Sequence, residues 1–338
     1  MPRHILGIES SCDDTAAAVL CDGKVLSNVI ANQAIHEAYG GVVPELASRA
    51  HQQNIVPVVQ QAIAKANIDK NQLKAVAFTQ GPGLMGSLLV GASFAKSLAL
   101  SLNIPLIGVN HMQAHLLAHF INDPKQNVPS FPFIGVTISG GHTQIVKVSD
   151  YFKMEIIGET LDDAIGEAFD KSGKMLGLPY PAGPIIDKKA QSGDGSAFSF
   201  SKPKVANLDF SFSGLKTGVL YFLQKQIKKN PEFVSQNINN LCASIQQTIV
   251  EILMDKIHLA VKQTGINEIA IGGGVSANSG IRKALLQAKD QYGWKVHLPK
   301  FEYTTDNAAM IAIVGDLLYQ QQKFSSLDAS VLARTSFI

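Results

Sequence analysis

The chain has 338 residues, of which 46% are hydrophobic and 17% charged, and its formal net charge at pH 7 is +2. The apolar fraction excludes a disordered chain, and the length predicts a folded protein of roughly two domains. The near-neutral charge excludes a protein that coats nucleic acid through a large excess of Lys and Arg, but it allows a local basic patch.

The cysteines and the apolar segments indicate the compartment. Three cysteines without a CxxC pair predict neither a disulfide framework nor a cysteine zinc site, which is typical of a reducing compartment. Carboxylates at positions 9, 13 and 14 stand where a signal peptide needs its apolar stretch. The most apolar segment, 84–109, is broken by Lys96, Asn103 and Pro105. We therefore expect a cytoplasmic protein that does not span a membrane.

The predicted elements occur twice in the same order. Apolar runs at 4–8, 15–20 and 24–30 predict three strands, followed by a helix over 55–66 and a strand over 75–79. A glycine turn, a helix of small residues, a strand over 104–109 and a helix beginning at His111 complete this half. The second half predicts strands over 133–138, 143–148 and 153–157, a helix over 238–263 and a strand over 268–271. A glycine turn, a helix over 281–288, a strand over 295–298 and a helix beginning at Asp306 follow.

This duplication predicts the domain organisation. Two α/β domains, each a mixed sheet with helices, are expected to face one another across a cleft. Residues 1–124 with about 310–338 form the first expected domain, and 125–309 form the second. The Pro-rich stretch 122–132 is the expected linker, and residues from about 171 to 232 have no counterpart in the first half and indicate an insertion.

Three turns carry the candidate chemistry. The turn at 139–141 joins two strands, and its small residues would let backbone N–H groups approach a phosphate; an ordinary hairpin is the alternative. Residues 272–278 follow a strand and open a helix, where a nucleotide can lie against the backbone. The acidic turn 9–14 favours a metal or a substrate donor over a bare phosphate. Since no GxxxxGK[ST] run is present, a P-loop is not supported.

Two histidines predict a metal site. His111 and His115 are four residues apart on one helical face and could reach a single ion; two satisfied histidines are the alternative. In the duplication, the helix start at Asp306 corresponds to that at His111, so we expect the two to meet across the cleft, with Asp306 as third ligand or as a plain N-cap. Such a set leaves open positions, which suits catalytic iron or zinc. A metalloprotease would need a Glu at position 112, where this chain has Met112.

Nine motifs spread over nearly the whole chain resemble one known family. In chain order they are GIESSCDDT (7–15), YGGVVPELASR (39–49), GPGL (81–84), the His-x-x-x-His pair, SGGHTQ (139–144), GEAFDK (166–171), FSFSGLKT (210–217), GGVSAN (273–278) and TDN (305–307). Together they are similar to the bacterial tRNA N6-adenosine threonylcarbamoyltransferases, formerly described as glycoprotein endopeptidases. The number and order of the motifs make the resemblance highly specific.

The resemblance implies a fold, a reaction and a set of site residues. The fold is α/β, with two duplicated ribonuclease-H-like domains of the actin, sugar-kinase and Hsp70 superfold. The reaction transfers threonylcarbamoyl from an adenylate to N6 of the adenosine 3′ of the anticodon, in tRNAs reading codons that begin with A, and releases AMP. The implied metal ligands are His111, His115 and Asp306. The implied adenylate contacts are Thr137, Ile138, Ser139, Gly140, Gly141, Asp170, Gly183, Asp187 and Asn278.

The resemblance also implies a cofactor and bound nucleotides. One divalent metal per subunit is expected, Fe(II) first and Zn(II) as the alternative, with threonylcarbamoyl-adenylate or ATP/ADP in the nucleotide pocket. No general base is identified by the motifs. We take Glu9, Asp13 and Asp14 as hypotheses for it, since the adenine amine must lose a proton during transfer.

The expected partners follow from the same resemblance. They are tRNA, an inactive paralogue of the same fold as heterodimer partner, a small P-loop ATPase, and a separate synthase that supplies the adenylate. The apolar helix over 84–102 could dock the paralogue or be buried in its own domain. Because the chain is nearly neutral, tRNA binding should depend on a limited basic patch, for which the candidates are Lys202, Lys204, Lys216, Lys225, Lys228 and Lys229.

Two functions from other classes compete with the transferase. A small-molecule kinase of the same superfold would use the same phosphate turns, but with magnesium held by phosphate and water rather than by two histidines. A non-catalytic scaffold would have no need for three metal ligands and two glycine turns.

Overall fold

The computed structural model describes residues 2–33, 36 and 39–335. These residues form two compact units. Unit 1 comprises the described residues of 1–129, 151–154 and 299–338, and unit 2 comprises residues 130–150 and 155–298.

The described residues form ten strands and nine α-helices. The strands are β1 (His4–Glu9), β2 (Thr15–Cys21), β3 (Lys24–Ala31), β4 (Leu73–Gly81), β5 (Leu106–Asn110), β6 (Phe133–Ile138), β7 (Thr143–Asp150), β8 (Lys153–Glu159), β9 (Glu268–Gly272) and β10 (Lys295–His297). The helices are α1 (Pro44–Lys65), α2 (Met85–Leu102), α3 (His111–Leu117), α4 (Ile165–Met175), α5 (Ala182–Ala190), α6 (Ser213–Ile227), α7 (Phe233–Thr264), α8 (Ser279–Tyr292) and α9 (Ala308–Gln320).

The two sheets have the same topology. The first has the order β3-β2-β1-β4-β5, and the second has the order β8-β7-β6-β9-β10. In each, the first strand pairs antiparallel with the second and parallel with the fourth, which itself pairs parallel with the fifth. The predicted fold class, an α/β protein with duplicated mixed sheets, is confirmed.

The sheet of unit 1 is covered on both faces, which explains why its central strands are apolar throughout. On one face, Leu6 and Phe78 pack in a cluster with residues of α1 and α2. On the other face, Ile5 and Ala77 pack in a cluster with α9. A Cβ atom at Gly7 would lie 2.5 Å from the Ala308 carbonyl oxygen, so only glycine allows α9 to approach β1 this closely. This approach brings the start of α9 beside the end of β1.

The core of unit 2 is built around β6 and the long helix α7. Val136 and Ile138 of β6 pack in one cluster with Ile245 and Ile249 of α7. Between the third and fourth strands, the described residues of unit 1 form one α-helix, whereas unit 2 has four α-helices there, α4 to α7. Two of the shorter ones, α4 and α5, carry three of the nine predicted nucleotide contacts: Asp170, Gly183 and Asp187.

Several helix boundaries differ from the predicted ones. The helix predicted over 55–66 begins at Pro44, and that predicted over 281–288 extends over Ser279–Tyr292. The prediction that a helix begins at Asp306 is wrong: α9 begins at Ala308, because the Asn307 side chain accepts a hydrogen bond from the Met310 N–H and caps it. Asp306 therefore does not have the capping role that was its alternative.

Candidate functional site

The two histidines lie on the first turn of α3 and the one after it. Asn110, at the end of β5, caps this helix by accepting hydrogen bonds from the backbone N–H groups of Met112 (2.9 Å) and Gln113 (3.1 Å). The cap makes His111 the first helical residue, so His111 and His115 lie one turn apart on the same face. Their ring centroids are 4.7 Å apart at an interplanar angle of 83°.

Asp306 completes this cluster from the segment just before α9. Its Oδ1 atom lies 3.4 Å from Nε2 of His111 and 3.2 Å from Nε2 of His115. One ligand atom from each of the three residues lies within 4.8 Å of the others. Burial would raise the pKa of Asp306, but the adjacent imidazoles hold it well below its usual range. The sequence predicted His111 and Asp306 on facing domains; in the structure both belong to unit 1.

The fit of this cluster to a metal can be tested on His115. Its side chain is 1% exposed, and within the described residues neither ring nitrogen has a hydrogen-bond partner, although Nε2 lies near Asp306. A buried polar atom without a partner is costly unless something binds it. Two imidazole nitrogens and one carboxylate oxygen are donors that iron(II) and zinc(II) accept. The residues therefore fit a divalent cation.

A buried carboxylate lies behind His111. Glu9, the last residue of β1, is fully buried, and its Oε2 atom lies 3.0 Å from Nδ1 of His111. The same oxygen accepts a hydrogen bond from the Thr79 hydroxyl at 2.6 Å, and Oε1 accepts one from the Ser11 N–H at 2.5 Å. Burial opposes ionisation of both partners, yet their mutual attraction prevails and leaves the pKa of Glu9 lowered and that of His111 raised.

Hydrogen bonds from α1 and α2 fix the acidic turn that follows β1, residues 10–14. No pattern in the sequence predicts these contacts. The Cys12 carbonyl accepts hydrogen bonds from Nε2 of His51 in α1 and from the Ser87 hydroxyl in α2, both at 3.0 Å. Asp13 and Asp14 follow and are half-buried. Burial, and then the negative charges of Asp13, Asp306 and Glu9, raise the pKa of Asp14 to about 7. A carboxyl group of this kind can exchange a proton near neutral pH.

In unit 2, the turn at 139–141 joins β6 to β7 and is open on its outer side. Cβ atoms added at Gly140 or Gly141 would meet no atom within 4 Å. On its inner side, a Cβ at Gly166 in α4 would lie 2.7 Å from the Ser139 carbonyl oxygen. Thr137 on β6 is fully buried, and within the described part of the chain its hydroxyl has no hydrogen-bond partner. Ile138, the last residue of β6, is also fully buried.

The other predicted nucleotide contacts lie at helix starts of unit 2. Asp170 accepts hydrogen bonds from the Ala182 and Gly183 N–H groups at the start of α5, at 2.8 and 3.3 Å, and burial raises its pKa. Asp187, one turn after Gly183, accepts from the N–H and hydroxyl of Ser279, at 3.1 and 2.6 Å. Ser279 is the first residue of α8, and the residue before it, Asn278, caps this helix.

Asn278 has a partner that sequence reasoning missed. Its Oδ1 atom accepts from the Ile281 N–H at 3.0 Å, which caps α8, and its amide donates to Oε1 of Gln246 in α7 at 2.7 Å. Gln246 carried no motif signal in the sequence, because its role depends on how α7 packs. The structure thus connects Asp170, Gly183, Asp187 and Asn278 through α5 and the start of α8.

The six candidate lysines do not behave alike. Lys202 pairs with Asp255 at 2.7 Å and Glu251 at 3.6 Å, and Lys216 lies 3.4 Å from Asp163. The other four are exposed and, among the described residues, form no ion pair within 4 Å: Lys204, Lys225, Lys228 and Lys229.

Helix α2 is both packed and exposed. By length and composition it is apolar enough to cross a membrane, with a third of its residues buried in the protein. One face packs Leu88, Ala92 and Ala95 into the core with β4 and α1. A neighbouring stripe of the helix exposes apolar side chains, among them Leu89 (50% exposed) and Leu100 (67% exposed). One face of α2 is thus buried in its own unit, which was one of the two predicted alternatives. The exposed leucines form an apolar surface that is accessible to a partner.

Comparison with known proteins identifies the family. The family model described as TsaD, tRNA N6-adenosine threonylcarbamoyltransferase, matches residues 24–313. The chain belongs to this family. The tRNA N6-adenosine threonylcarbamoyltransferase of Christiangramia forsetii is 67% identical over 334 residues, which cover 99% of this chain and 98% of the relative. That of Riemerella anatipestifer is 64% identical over 330 residues, which cover 98% of this chain and 97% of the relative.

Solved structures agree with the fold. HypF of T. kodakarensis superposes with a TM-score of 0.63 at 13% identity, over 98% of this chain and 51% of that one. At this identity the likeness supports the fold alone. Membership of the family confirms the predicted enzyme class and the predicted role in threonylcarbamoyladenosine modification of tRNA. The comparisons give no support to the kinase or the metalloprotease.

Proposed function

We propose that this enzyme transfers the threonylcarbamoyl group of threonylcarbamoyl-adenylate to N6 of the adenosine 3′ of the anticodon, in tRNAs reading codons that begin with A. A bond forms between N6 and the carbamoyl carbon, the bond from that carbon to the phosphate oxygen breaks, and AMP leaves. The observation that carries this proposal is the cluster of His111, His115 and Asp306, with both ring nitrogens of His115 buried and without a hydrogen-bond partner in the described residues.

His111, His115 and Asp306 would hold one divalent ion, Fe(II) first and Zn(II) as the alternative. When bound, such an ion supplies a Lewis acid for oxygens of the donor, which stabilises negative charge that develops during transfer. The three side chains come from two chain segments far apart in sequence and are mostly buried. They would therefore hold the ion in a fixed position.

The adenylate would be bound by the cradle of unit 2, with ATP or ADP as alternative occupants. Backbone N–H groups of Gly140 and Gly141 would bind its phosphate, because no side chain blocks their outer side. Thr137, on β6 just before this turn, is fully buried and would support the cradle from within the sheet. Asp170 and Asp187 each accept a hydrogen bond from a backbone N–H group, which fixes their orientation. A carboxylate has further lone pairs, and with these they would accept hydrogen bonds from the ribose hydroxyls.

Asp14 is the residue we propose to accept the proton from N6. Of the three candidate carboxylates, Glu9 is fully buried and has both oxygens engaged, whereas Asp13 and Asp14 are partly exposed. The pKa of Asp14, which burial above all raises to about 7, matches a base that works near neutral pH. Asp14→Asn should then lower the transfer rate at saturating adenylate.

The proposed partners are tRNA, an inactive paralogue of the same fold, a small P-loop ATPase and the synthase that makes the adenylate, all in the cytoplasm. The exposed apolar side of α2, with Leu89 and Leu100, fits the paralogue. The exposed lysines that lack carboxylate partners fit the tRNA backbone. No membrane is needed for any of these interactions.

The test is transfer of labelled threonylcarbamoyl from preformed adenylate to a tRNA transcript, with the helper proteins supplied. We expect label on adenosine with the wild type, none with His111→Ala, and wild-type label with His258→Gln, a half-buried histidine of unit 2 that contacts Tyr292 and Trp294. A folded, metal-loaded wild type that transfers no label would reject the proposal.

A further inference from the structure

Glu9 is fully buried and contacts a predicted metal ligand, whereas Asp13 and Asp14 of the same acidic segment are partly exposed. It contacts Nδ1 of His111, whereas Asp306 lies next to the other ring nitrogen, Nε2. We propose that Glu9 is a positioning residue that fixes the ring orientation and the tautomer of His111. This inference rests on the metal centre of the proposed function and assigns to Glu9 a role different from that of a general base.

The hydrogen-bond inventory of Glu9 supports this assignment. An ionised carboxylate can only accept hydrogen bonds, so the 3.0 Å contact requires that Nδ1 of His111 carries a proton and donates it. A ring that binds a cation through Nε2 is neutral, so its single proton must be on Nδ1 and its lone pair on Nε2. That lone pair then points to the side of Asp306, where the ligand atoms of the cluster converge.

Glu9 is itself held in place by the sheet. The Thr79 hydroxyl, on the neighbouring strand β4, donates to Oε2 at 2.6 Å, and the Ser11 N–H donates to Oε1 at 2.5 Å. Strands β1 and β4 pair in parallel, so Glu9 and Thr79 reach the same edge of the sheet. The carboxylate is fully buried, which prevents it from reaching a substrate but strengthens its hold on His111.

His115 offers an internal comparison. It lies on the same face of α3, but within the described chain neither of its ring nitrogens has a hydrogen-bond partner. The fold thus fixes the tautomer of one histidine by a carboxylate and leaves that of the other to be set by what it binds. A carboxylate that accepts the second ring N–H of a metal ligand commonly raises metal affinity.

The experiment measures metal affinity in the full-length protein, without tRNA. Zn²⁺ dissociation constants are obtained by chelator competition for the wild type, Glu9→Gln, Glu9→Ala and Thr79→Val. We expect Glu9→Ala to weaken Zn²⁺ binding about 10- to 100-fold. Glu9→Gln, which keeps an oxygen acceptor, should weaken it less, and Thr79→Val should weaken it by a few-fold, about 2 to 5.

The absorption spectrum of the Co²⁺-substituted protein gives a second measurement. A change in the ligand-field bands of Glu9→Ala is expected if the His111 ring loses its fixed orientation. Asp316→Asn is the matched control, because Asp316 is an equally buried carboxylate of unit 1 that pairs with Arg3 instead of a histidine. This variant should lose stability yet keep the Zn²⁺ dissociation constant and the Co²⁺ spectrum of the wild type.

The outcomes separate this inference from its alternatives. A folded Glu9→Ala with wild-type Zn²⁺ affinity and spectrum would overturn it. If Glu9→Ala does not fold, unchanged affinity in both Glu9→Gln and Thr79→Val overturns it equally. Wild-type metal binding with a lost transfer rate in Glu9→Gln would instead identify Glu9 as a general base. Since no transfer is measured in the binding assay, a failure of the proposed reaction would leave these affinities informative.

Discussion

Two neighbouring glycines of unit 2, Gly140 in the turn at 139–141 and Gly166 in α4, lack a side chain for different reasons. Gly140 faces open space, whereas a Cβ at Gly166 would lie 2.7 Å from the Ser139 carbonyl oxygen and 2.8 Å from the Gly140 Cα atom. Without a side chain, Gly140 leaves the turn accessible to a ligand, and Gly166 lets α4 pack closely against the turn. Substitution by alanine separates these roles.

For Gly140→Ala we expect an unchanged or slightly higher melting temperature, because alanine reduces the entropy of the unfolded chain and meets no atom. We expect its ADP affinity to fall, since the new methyl group would stand where the phosphate lies. For Gly166→Ala we expect a loss of about 1–3 kcal/mol in the free energy of unfolding, because backbone atoms must move. Calorimetry of unfolding and of ADP binding measures both. Gly140→Ala binding ADP like the wild type would contradict the proposed cradle.

At this scale, the sequence predicted side chains well where chemistry depends on residue type and spacing. His111 and His115 could be predicted because a helix brings positions four apart together. The tertiary contacts could not be predicted in the same way. His51 hydrogen-bonds to the Cys12 carbonyl, 39 residues earlier in the chain, and Gln246 hydrogen-bonds to Asn278, 32 residues later. Contacts at such separations leave no periodic pattern in the sequence. The burial of Glu9 likewise depends on which strand is central in the sheet.

At the scale of elements, the start of α6 is stabilised by one side chain from a distant loop. Asp162 accepts hydrogen bonds from the N–H groups of Phe212 and Ser213, at 2.7 and 3.3 Å, and from the hydroxyls of Ser211 and Ser213, at 2.5 and 2.7 Å. Burial raises the pKa of Asp162, but these donors outweigh it and leave the pKa lowered. The motif at 210–217 thus has a structural role in holding α6 to the loop after β8.

We expect Asp162→Ala to lose about 1–2 kcal/mol of stability at pH 7, as for other lost helix caps. Because the pKa of Asp162 is lower in the folded state, its stabilisation is present above the unfolded pKa, about 3.9, and is lost as pH falls through the folded pKa. The stability difference from the wild type should therefore shrink as pH drops below about 4. Urea unfolding across pH 3 to 7 measures it, with Asp290→Ala, an exposed aspartate of α8, as control. A difference independent of pH would reject the role of the charge.

The elements themselves were predicted best at their centres. The strands of both halves were expected within a residue or two, because apolar runs and turn residues mark them locally. Boundaries that depend on competing caps were harder. Asp306 and Asn307 are adjacent and both suit an N-cap, and the choice of Asn307 leaves Asp306 to face the histidines.

At the scale of a whole unit, the metal centre joins segments that are far apart in the chain. His111 and His115 belong to α3, and Asp306 precedes α9, so a bound ion would tie together two segments separated by about 190 residues of sequence. An ion that binds only the folded state adds to its stability by mass action.

We therefore expect Zn²⁺ at about 100 times its dissociation constant to raise the free energy of unfolding by about 2.7 kcal/mol. Amide hydrogen exchange should show the added protection in β1, α3 and α9 of unit 1, the elements that adjoin the ligands. His115→Ala should show neither effect. Equal stabilisation of wild type and His115→Ala by Zn²⁺ would mean that the ion binds elsewhere.

Across the whole molecule, a net charge of +2 leaves little general attraction for tRNA, so its affinity must come from local charge. Residues 210–231 contain four lysines and no acidic residue, and the last three, Lys225, Lys228 and Lys229, lie exposed at the end of α6 and just beyond it. Lys202, in contrast, already pairs with two carboxylates. A phosphate would have to displace those partners, whereas it would meet the three exposed lysines without competition.

Replacing Lys225, Lys228 and Lys229 by Gln should weaken tRNA binding and reduce the slope of log affinity against log salt by about 1 for each phosphate that a lysine no longer neutralises. The triple variant changes the net charge from +2 to −1, because it removes three positive charges. The matched control replaces Lys65, Lys70 and Lys74 of unit 1 by Gln, which gives the same net charge. If both triple variants reduce the slope equally, the effect comes from net charge, and the end of α6 is a solvated surface. If only the first variant reduces the slope, this end of α6 binds the tRNA backbone. Lys202→Gln should change the slope little, because Lys202 already pairs with two carboxylates.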